Sequence, residues 1–364
     1  MDVRRFRLLA VFACAVFSFA TVAAAQEEAP ASAAVVLSKP LPPVTAQAGP
    51  LTIPVSVTDA AGHPILGLGV GDFTVLDNGQ PVAVSGFRAP SPEHPAEVII
   101  LLDSVNQRYQ SISYVQQQVI AYLRANGGKL GQPTSIQILT DKGLKEIAPS
   151  TTDGNALATQ LSSTSSPLRA IGRSAGYYGA EDRLGISLHG ISDLAVHAMA
   201  TRNQTLVIWM SPGWPLLDTP GQFYSKKDQQ QIFDSIVSLT TLLQRAHITL
   251  YSINVHGAGD SADLRNTLYQ SFLKPVAFTN QTQFANLGLQ VLAVHSGGLA
   301  ILPSNDLKSG VAECASDATT AYAVQIPTQA GLERPTFHKL EVRVNHADTR
   351  TRTAVGYYAL PPPR

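Results

Sequence analysis

The sequence predicts an α/β protein in which a mostly parallel, doubly wound sheet carries helices on both faces. Residues 98–102, 204–210 and 248–255 are largely apolar runs without alternation, which is typical of strands buried on both faces. Segments with helical spacing separate these runs, and strands that alternate with helices imply parallel pairing. A period of two marks residues 51–58 and 338–344, near the two ends of the chain. We therefore expect an α/β unit inserted between terminal β-strands.

The composition indicates a folded chain without a role in nucleic-acid binding. The chain has 364 residues, of which 45% are hydrophobic and 14% are charged. A chain this apolar is not largely disordered. The formal net charge is zero, and no cluster of Lys and Arg exceeds three residues. The sequence therefore lacks the basic surface that nucleic-acid binding requires.

The first 25 residues have the features of a cleaved export signal. Arg4, Arg5 and Arg7 precede an apolar run that ends in small residues at positions 22–25. We expect an exported protein, periplasmic or extracellular, that meets the membrane only through this signal. The alternative is that the run, about 18 residues long, is retained as a membrane anchor.

Cysteine usage fits export without a disulfide. Cys14 leaves with the signal, and Cys314 is then the one cysteine of the mature chain. A single cysteine forms no intramolecular disulfide, so stability depends on the size of the core. We expect Cys314 to be an inert, buried side chain of a helix.

Changes in periodicity and composition give the expected domain boundaries. Residues 26–50 are rich in Ala and Pro and read as an extended linker. Residues 51–90 contain short strands, with a hairpin turn at Asn78-Gly79 and a return strand over 81–87. Neither these strands nor those of residues 319–360 are numerous enough to be stable alone. We expect both groups to form one small β-sandwich around the α/β unit of residues 96–318; two separate β-modules are the alternative.

Within the α/β unit, apolar residues at helical spacing predict five helices. Asn126-Gly127-Gly128 ends the first helix, and Ser296-Gly297-Gly298 ends the fourth. The expected helices cover residues 112–123, 184–200, 232–246, 284–295 and 306–318, and further strands are expected at 135–140, 299–302, 320–326 and 354–359.

Several stretches occur in an order that resembles a known family. They include Asp77-Asn78-Gly79, Leu101-Leu102-Asp103-Ser104, residues 206–213 and the closing Gly356-Tyr357-Tyr358-Ala359. Together they resemble the von Willebrand factor A (VWA)-related domain proteins secreted by acidobacteria, over roughly residues 51–360. The resemblance implies a VWA-like doubly wound sheet between N- and C-terminal strands.

The resemblance also implies a metal-ion-dependent adhesion site, which this sequence changes. The family's pattern is Asp-x-Ser-x-Ser after the first core strand and an aspartate after a later strand, which together bind Mg²⁺. Here valine and Gln107 replace the two serines, and Pro212 stands where the second aspartate would be. We therefore expect no cofactor, with Asp103 capping the turn that follows it. The alternative is a degenerate Mg²⁺ site, completed by water, whose ligands are Asp103, Ser104, Asn106 and Ser211.

Two other patterns resemble catalytic or metal sites. Residues 172–176 match Gly-x-Ser-x-Gly around Ser174, but they lie in a loop instead of a strand-to-helix turn. His189, Asp193 and His197 follow at intervals of four on one helix, where a polar stripe is the simpler interpretation.

These observations favour an exported, non-enzymatic binding or adhesion-type protein. Its partner would be a protein or cell-envelope ligand held by loops at the carboxyl end of the sheet. The candidate contact residues in these loops are Gln107, Arg108, Tyr109, Tyr177, Tyr178 and Trp214. The alternatives are a periplasmic hydrolase, using Ser174 or a helix-borne metal, and a structural component of the envelope.

Overall fold

The computed structural model describes residues 41, 44, 49–107, 109–164, 177–201, 203–215, 224–257, 269–331 and 333–362. The expected signal over residues 1–25 and the candidates Arg108 and Ser174 lie outside the described residues. None of the described helices has the length and apolar character needed to cross a membrane.

The strands and helices follow one another in the order that the sequence patterns predict for an α/β unit between terminal strands. The elements are β1 (Leu51–Thr58), β2 (Phe73–Asp77), β3 (Gln80–Val82), β4 (Gly86–Arg88), β5 (Glu97–Asp103), α1 (Tyr109–Leu123), β6 (Lys129–Thr140), β7 (Gly143–Asp153), α2 (Gly154–Ser163), α3 (Tyr177–Thr201), β8 (Thr205–Met210), α4 (Lys226–Arg245), β9 (Ile248–Ile253), α5 (Leu289–His295), β10 (Ala300–Ile301), α6 (Leu307–Thr320), β11 (Tyr322–Ile326), β12 (Thr336–Val344), β13 (Arg350–Thr353) and β14 (Gly356–Ala359).

A six-stranded sheet forms the centre of the α/β unit. Its order is β10-β9-β8-β5-β6-β7, and all neighbours pair in parallel except β6 and β7. Chain order therefore reverses between β5 and β8, as it does in doubly wound sheets. This arrangement confirms the predicted mixed α/β fold with a mostly parallel sheet and is consistent with a VWA-like fold.

Helices cover both faces of this sheet, as its apolar strands require. In β5, Ile99 and Leu101 join a core cluster with residues of α3, α4 and α5. Val98, Ile100 and Leu102 alternate with them and join a second cluster with residues of α1, α2 and α6. Because a strand turns successive side chains to opposite faces, an unbroken apolar run fills both cores.

The terminal strands form two four-stranded sheets, and each sheet combines N- and C-terminal segments. One has the order β13-β1-β11-β4 and the other β14-β12-β2-β3. β1 pairs antiparallel with β11 and β13, while β2 pairs antiparallel with β12. Buried side chains from both sheets form one apolar cluster that includes Ile53, Val75, Tyr322 and Val342.

The hairpin turn between β2 and β3 is the two-residue turn predicted from Asn-Gly. Asn78 has φ 49° and Gly79 has φ 81°, and Asp77 pairs with Gln80 across the turn. Positive φ at both central residues is characteristic of this turn. The single return strand predicted over residues 81–87 is wrong, because β3 ends at Val82 and β4 pairs with β11 in the other sheet.

The linker expected over residues 26–50 is partly integrated into the core. Leu41 is 9% exposed and belongs to the cluster beneath α3 and α4, and Val44 packs against the same cluster. Burial of these two apolar side chains is favourable.

A buried polar network connects the α/β unit to the terminal strands. Asp317 in α6 accepts hydrogen bonds from Ser56 Oγ at 2.7 Å, Tyr251 Oη at 2.5 Å and Arg352 Nη2 at 2.6 Å. Arg352 also donates to the carbonyl of Gly297. Burial and the neighbouring Asp317 raise the pKa of Tyr251 well above its ordinary value, so its hydroxyl stays protonated and donates.

Candidate functional site

The sequence-predicted site lies at the carboxyl edge of the central sheet, where β5 and β8 are neighbours. Asp103 is the last residue of β5, and Ser211 directly follows β8. The chain leaves β5 toward α1 on one face and leaves β8 toward α4 on the other. This is the topological switch point, where doubly wound sheets leave a crevice for ligands.

The Asp103 carboxylate is 1% exposed and accepts four hydrogen bonds from the chain itself. Its Oδ1 atom accepts from the backbone N–H groups of Val105 and Asn106, both at 2.9 Å. Its Oδ2 atom accepts from Asn106 Nδ2 at 2.8 Å and from Trp209 Nε1 at 3.0 Å. Two backbone donors therefore shape the turn, as expected for a capping aspartate. The two side-chain donors take the remaining positions around the carboxylate.

Trp209 reaches Asp103 because of the strand register. It lies in β8 opposite Leu101 of β5, two residues before Asp103. Its ring is fully buried and lies edge-on to Trp214, with the ring centroids 5.2 Å apart. The indole N–H of Trp209 thereby donates a hydrogen bond to the Asp103 carboxylate without adding a positive charge.

Asn106 connects this turn to α3. Its Nδ2 group donates to Ser187 Oγ at 3.0 Å as well as to Asp103. The Ser187 hydroxyl in turn donates to the Arg183 carbonyl at 2.8 Å. The Asn106 side chain thus presents N–H donors to both neighbours, and holds the turn against the helix.

The other predicted metal ligands are also engaged within the chain. Ser104 Oγ donates to the Leu139 carbonyl at 2.6 Å, and Ser211 Oγ accepts from the Gly213 N–H at 3.2 Å. Mg²⁺ requires lone pairs of hard oxygen ligands directed at one point. At Asp103 those directions are filled by N–H groups, so the residues present do not fit the adhesion-site metal. Among the described residues no cluster of three or more His, Cys, Asp or Glu could hold an ion.

Two of the expected contact residues are buried. Gln107 is 7% exposed, and its Nε2 group donates to the Met210 carbonyl at 2.7 Å. Trp214 is 1% exposed and packs on Trp209. Neither side chain has the surface position expected of it, because each closes the space above the ends of β5 and β8.

The aromatic candidates lie at the starts of two helices. Tyr109 is the first residue of α1, which directly follows the turn after Asp103. Tyr177 and Tyr178 begin α3, the helix whose Ser187 contacts that turn. The side chains of these three tyrosines lie outside the described residues.

Sequence reasoning missed three unpartnered polar atoms at this edge. Asn106 Oδ1, Gln107 Oε1 and Trp214 Nε1 are buried and have no hydrogen-bond partner in the part of the chain that the structure describes. A buried polar atom without a partner costs about 1–3 kcal/mol. Such atoms are atypical of a fully closed interior.

The helix-borne metal pattern does not assemble a site. Asp193 and His197 are exposed on α3, and His189 donates through Nδ1 to the Gly185 carbonyl at 2.7 Å. Cys314 is fully buried, and burial raises the pKa of its thiol well above the ordinary value. A thiol that stays protonated is a poor nucleophile, which fits the inert role expected for it.

No family model matches the chain, and no curated protein matches it. Among solved structures, the chain is similar to proximal thread matrix protein 1 from the mussel byssus, at 11% identity and a TM-score of 0.37, over 65% of this chain and 49% of that chain. It is similar to the SpRpn10 VWA domain at 10% identity and a TM-score of 0.23, over 44% of this chain and 74% of that one. It is also similar to BatB from Bacteroides thetaiotaomicron at 13% identity and a TM-score of 0.32, over 61% and 98% of the respective chains.

The chain spans about half the length of the thread matrix protein that it matches. The strand order of the central sheet and the helices that cover its two faces show a mixed α/β fold, which is consistent with a VWA-like fold.

Proposed function

We propose that the chain is an exported, non-enzymatic binding or adhesion-type protein whose VWA-like domain recognises its partner without a metal ion. In this proposal the chain is related to the VWA-related secreted proteins that its motifs resemble. The two terminal sheets form a β-sandwich that carries the α/β unit, and recognition uses the loops at the carboxyl edge of the central sheet.

The proposal is carried by the hydrogen bonds of Asp103. A metal ion at this carboxylate would have to displace donors that already occupy both oxygen atoms. Each hydrogen bond to a charged group contributes about 1.5–3 kcal/mol. Mg²⁺ would also have to give up water, which it does reluctantly, for a site without a second carboxylate. The internal donors therefore outcompete the ion.

The chemistry of the loops supports a protein or cell-envelope partner. Arg108 and Tyr109 follow the Asp103 turn in the sequence, and Tyr177 and Tyr178 begin α3, the helix whose Ser187 contacts that turn. Arginine and tyrosine are enriched among residues that dominate binding at protein interfaces. Asn106 lies two residues before Arg108 in the sequence, and its buried Oδ1 atom has no hydrogen-bond partner among the described residues.

A binding assay in the presence and absence of divalent ions tests this function. Labelled mature protein, residues 26–364, should bind cell envelopes of its source organism saturably and equally well in Mg²⁺ and in EDTA. The double substitution Arg108→Ala and Tyr109→Ala should weaken binding roughly tenfold or more, since such residues contribute about 1–2 kcal/mol each at interfaces. Arg343→Ala, at an exposed position in β12, is the matched control and should bind normally. Loss of binding in EDTA, or equal loss in both variants, would disprove the proposal.

A further inference from the structure

We infer a second binding site, for a small amphiphilic monocarboxylate, in a cavity between the α/β unit and the terminal strands. The cavity has a volume of about 390 Å³. Gln204, which precedes β8, and Ile248, which begins β9, place it at the amino ends of the central strands. It is therefore separate from the carboxyl edge and does not depend on the function proposed above.

Small and apolar side chains leave the space open. Gly86 and Ala323 line the side formed by β4 and β11, and Pro54 extends it along β1. Leu243 of α4 and Leu292 of α5 form the opposite wall. Polar and apolar groups contribute to the lining in similar measure. Cavities of this volume between packed units are typical binding sites for small organic ligands.

One charged side chain of the lining favours a negatively charged group. Arg88 lines the cavity with an exposed side chain and donates through Nη2 to Gln204 Oε1 at 3.0 Å. This bond holds the guanidinium in place and leaves further N–H donors in its planar fork, whose geometry matches a carboxylate. No Asp or Glu is among the described residues that line the cavity. The positive charge of Arg88 is thus not neutralised within the site.

His247 adds a neutral donor or acceptor beside Arg88. Its backbone has φ 51°, which is rare for a residue other than glycine, and is held by the bond from Thr205 N to its carbonyl at 3.1 Å. The Nδ1 atom is buried and has no hydrogen-bond partner within the described segments. Burial, and secondly the charge of Arg88, lower the pKa of His247, so the imidazole is neutral at pH 7. Strained backbone and an unpartnered polar atom are features that cluster at binding sites.

Two helices have their C-terminal ends at the cavity, and the partial negative charge of a helix C-terminus disfavours a bound anion. α4 ends at Arg245 and α5 at His295, which places the negative ends of both helices nearby. Each carries at most about half an elementary charge, and the effect falls off within the last turn. Terminal carbonyls are also engaged, since His247 N donates to Gln244 O and Gly298 N donates to Ala293 O. The full positive charge of Arg88 therefore outweighs the partial charges of the helix ends, and the preferred ligand is negatively charged.

Calorimetric titration with octanoate, octan-1-ol and octylammonium tests the inference on the mature protein. Octanoate should bind saturably at one site, and the uncharged alcohol roughly tenfold or more weakly, because it lacks the charge-assisted bonds to Arg88. Arg88→Met should reduce octanoate affinity by about the same factor and leave octanol affinity unchanged. Arg343→Met removes an exposed arginine remote from the lining residues, and should change neither.

A second variant tests the cavity without touching the charge. Ala323→Leu fills the space beside the apolar wall and should weaken octanoate and octanol together. The inference is overturned if octanoate shows no saturable binding, if Arg343→Met weakens it as much as Arg88→Met, if Ala323→Leu has no effect, or if octylammonium binds more tightly than octanoate.

Discussion

Arg352→Met is expected to lower the free energy of unfolding by about 3–5 kcal/mol, because it removes one partner of a buried ion pair. Arg352 Nη2 lies 2.6 Å from Asp317, whose side chain would remain buried with a negative charge. Although burial opposes its charge, the adjacent Asp317 carboxylate raises the pKa of Arg352, so the guanidinium keeps its positive charge. Tyr251 and Ser56 would still donate to Asp317, but neither supplies a positive charge.

Arg343→Met is the matched control for this measurement. Arg343 pairs with Glu341 at 2.7 Å, but both side chains are largely exposed. Exposed pairs contribute about 0–1 kcal/mol, so urea unfolding of this variant should be close to that of the wild type. Equal stability of the two variants would show that the network at Asp317 does not hold the α/β unit and the terminal strands together.

Asp103→Ala is expected to destabilise the mature protein by about 3 kcal/mol, because it leaves buried N–H donors without an acceptor. The donors affected are Trp209 Nε1 and the backbone N–H groups of Val105 and Asn106. If Asp103 were instead retained as a metal ligand, its removal from the metal-free protein would relieve charge burial and raise stability. The sign of the change in urea unfolding therefore separates the two roles.

Asp193→Ala serves as the control for this second prediction. Asp193 is exposed on α3 and should be replaceable at a cost of about 0.5 kcal/mol or less. Unfolding measured in EDTA excludes any contribution from bound ions. An Asp103→Ala protein as stable as the Asp193→Ala protein would show that the hydrogen bonds at Asp103 do not stabilise the turn.

The central strands were predictable because both of their faces are buried. The runs that became β5, β8 and β9 are mostly apolar, although Thr249 and Ser252 are also buried in β9, and the observed strands differ from the predicted ones by one or two residues at their ends. A strand that is buried on both faces is a near-continuous apolar run, whereas a strand with one exposed face alternates between polar and apolar residues.

β7 and α2 were missed for the opposite reason. β7 (Gly143–Asp153) is an edge strand whose side chains are mostly exposed, so it carries no apolar pattern. α2 buries only a short stripe that includes Leu157 and Leu161. A local signal was available there, since Asp153 caps the helix by accepting from the N–H groups of Asn155 and Ala156.

The loss of the metal-ligand pattern could be read from the sequence, but what replaces the metal could not. Val105 and Pro212 offer no side-chain oxygen, and this is visible in the residues alone. The bond from Trp209 to Asp103 joins positions 106 residues apart and depends on the register of β5 against β8. A long-range register of this kind follows from packing and not from any local pattern.

The most direct test is calorimetric titration of the mature protein with Mg²⁺ and with Mn²⁺, beside Asp103→Ala. Because internal N–H donors fill the positions around the Asp103 carboxylate, we expect no saturable heat from either protein and no change in melting temperature on adding EDTA. Micromolar binding of either ion by the wild type, abolished by Asp103→Ala, would contradict a metal-independent binding edge.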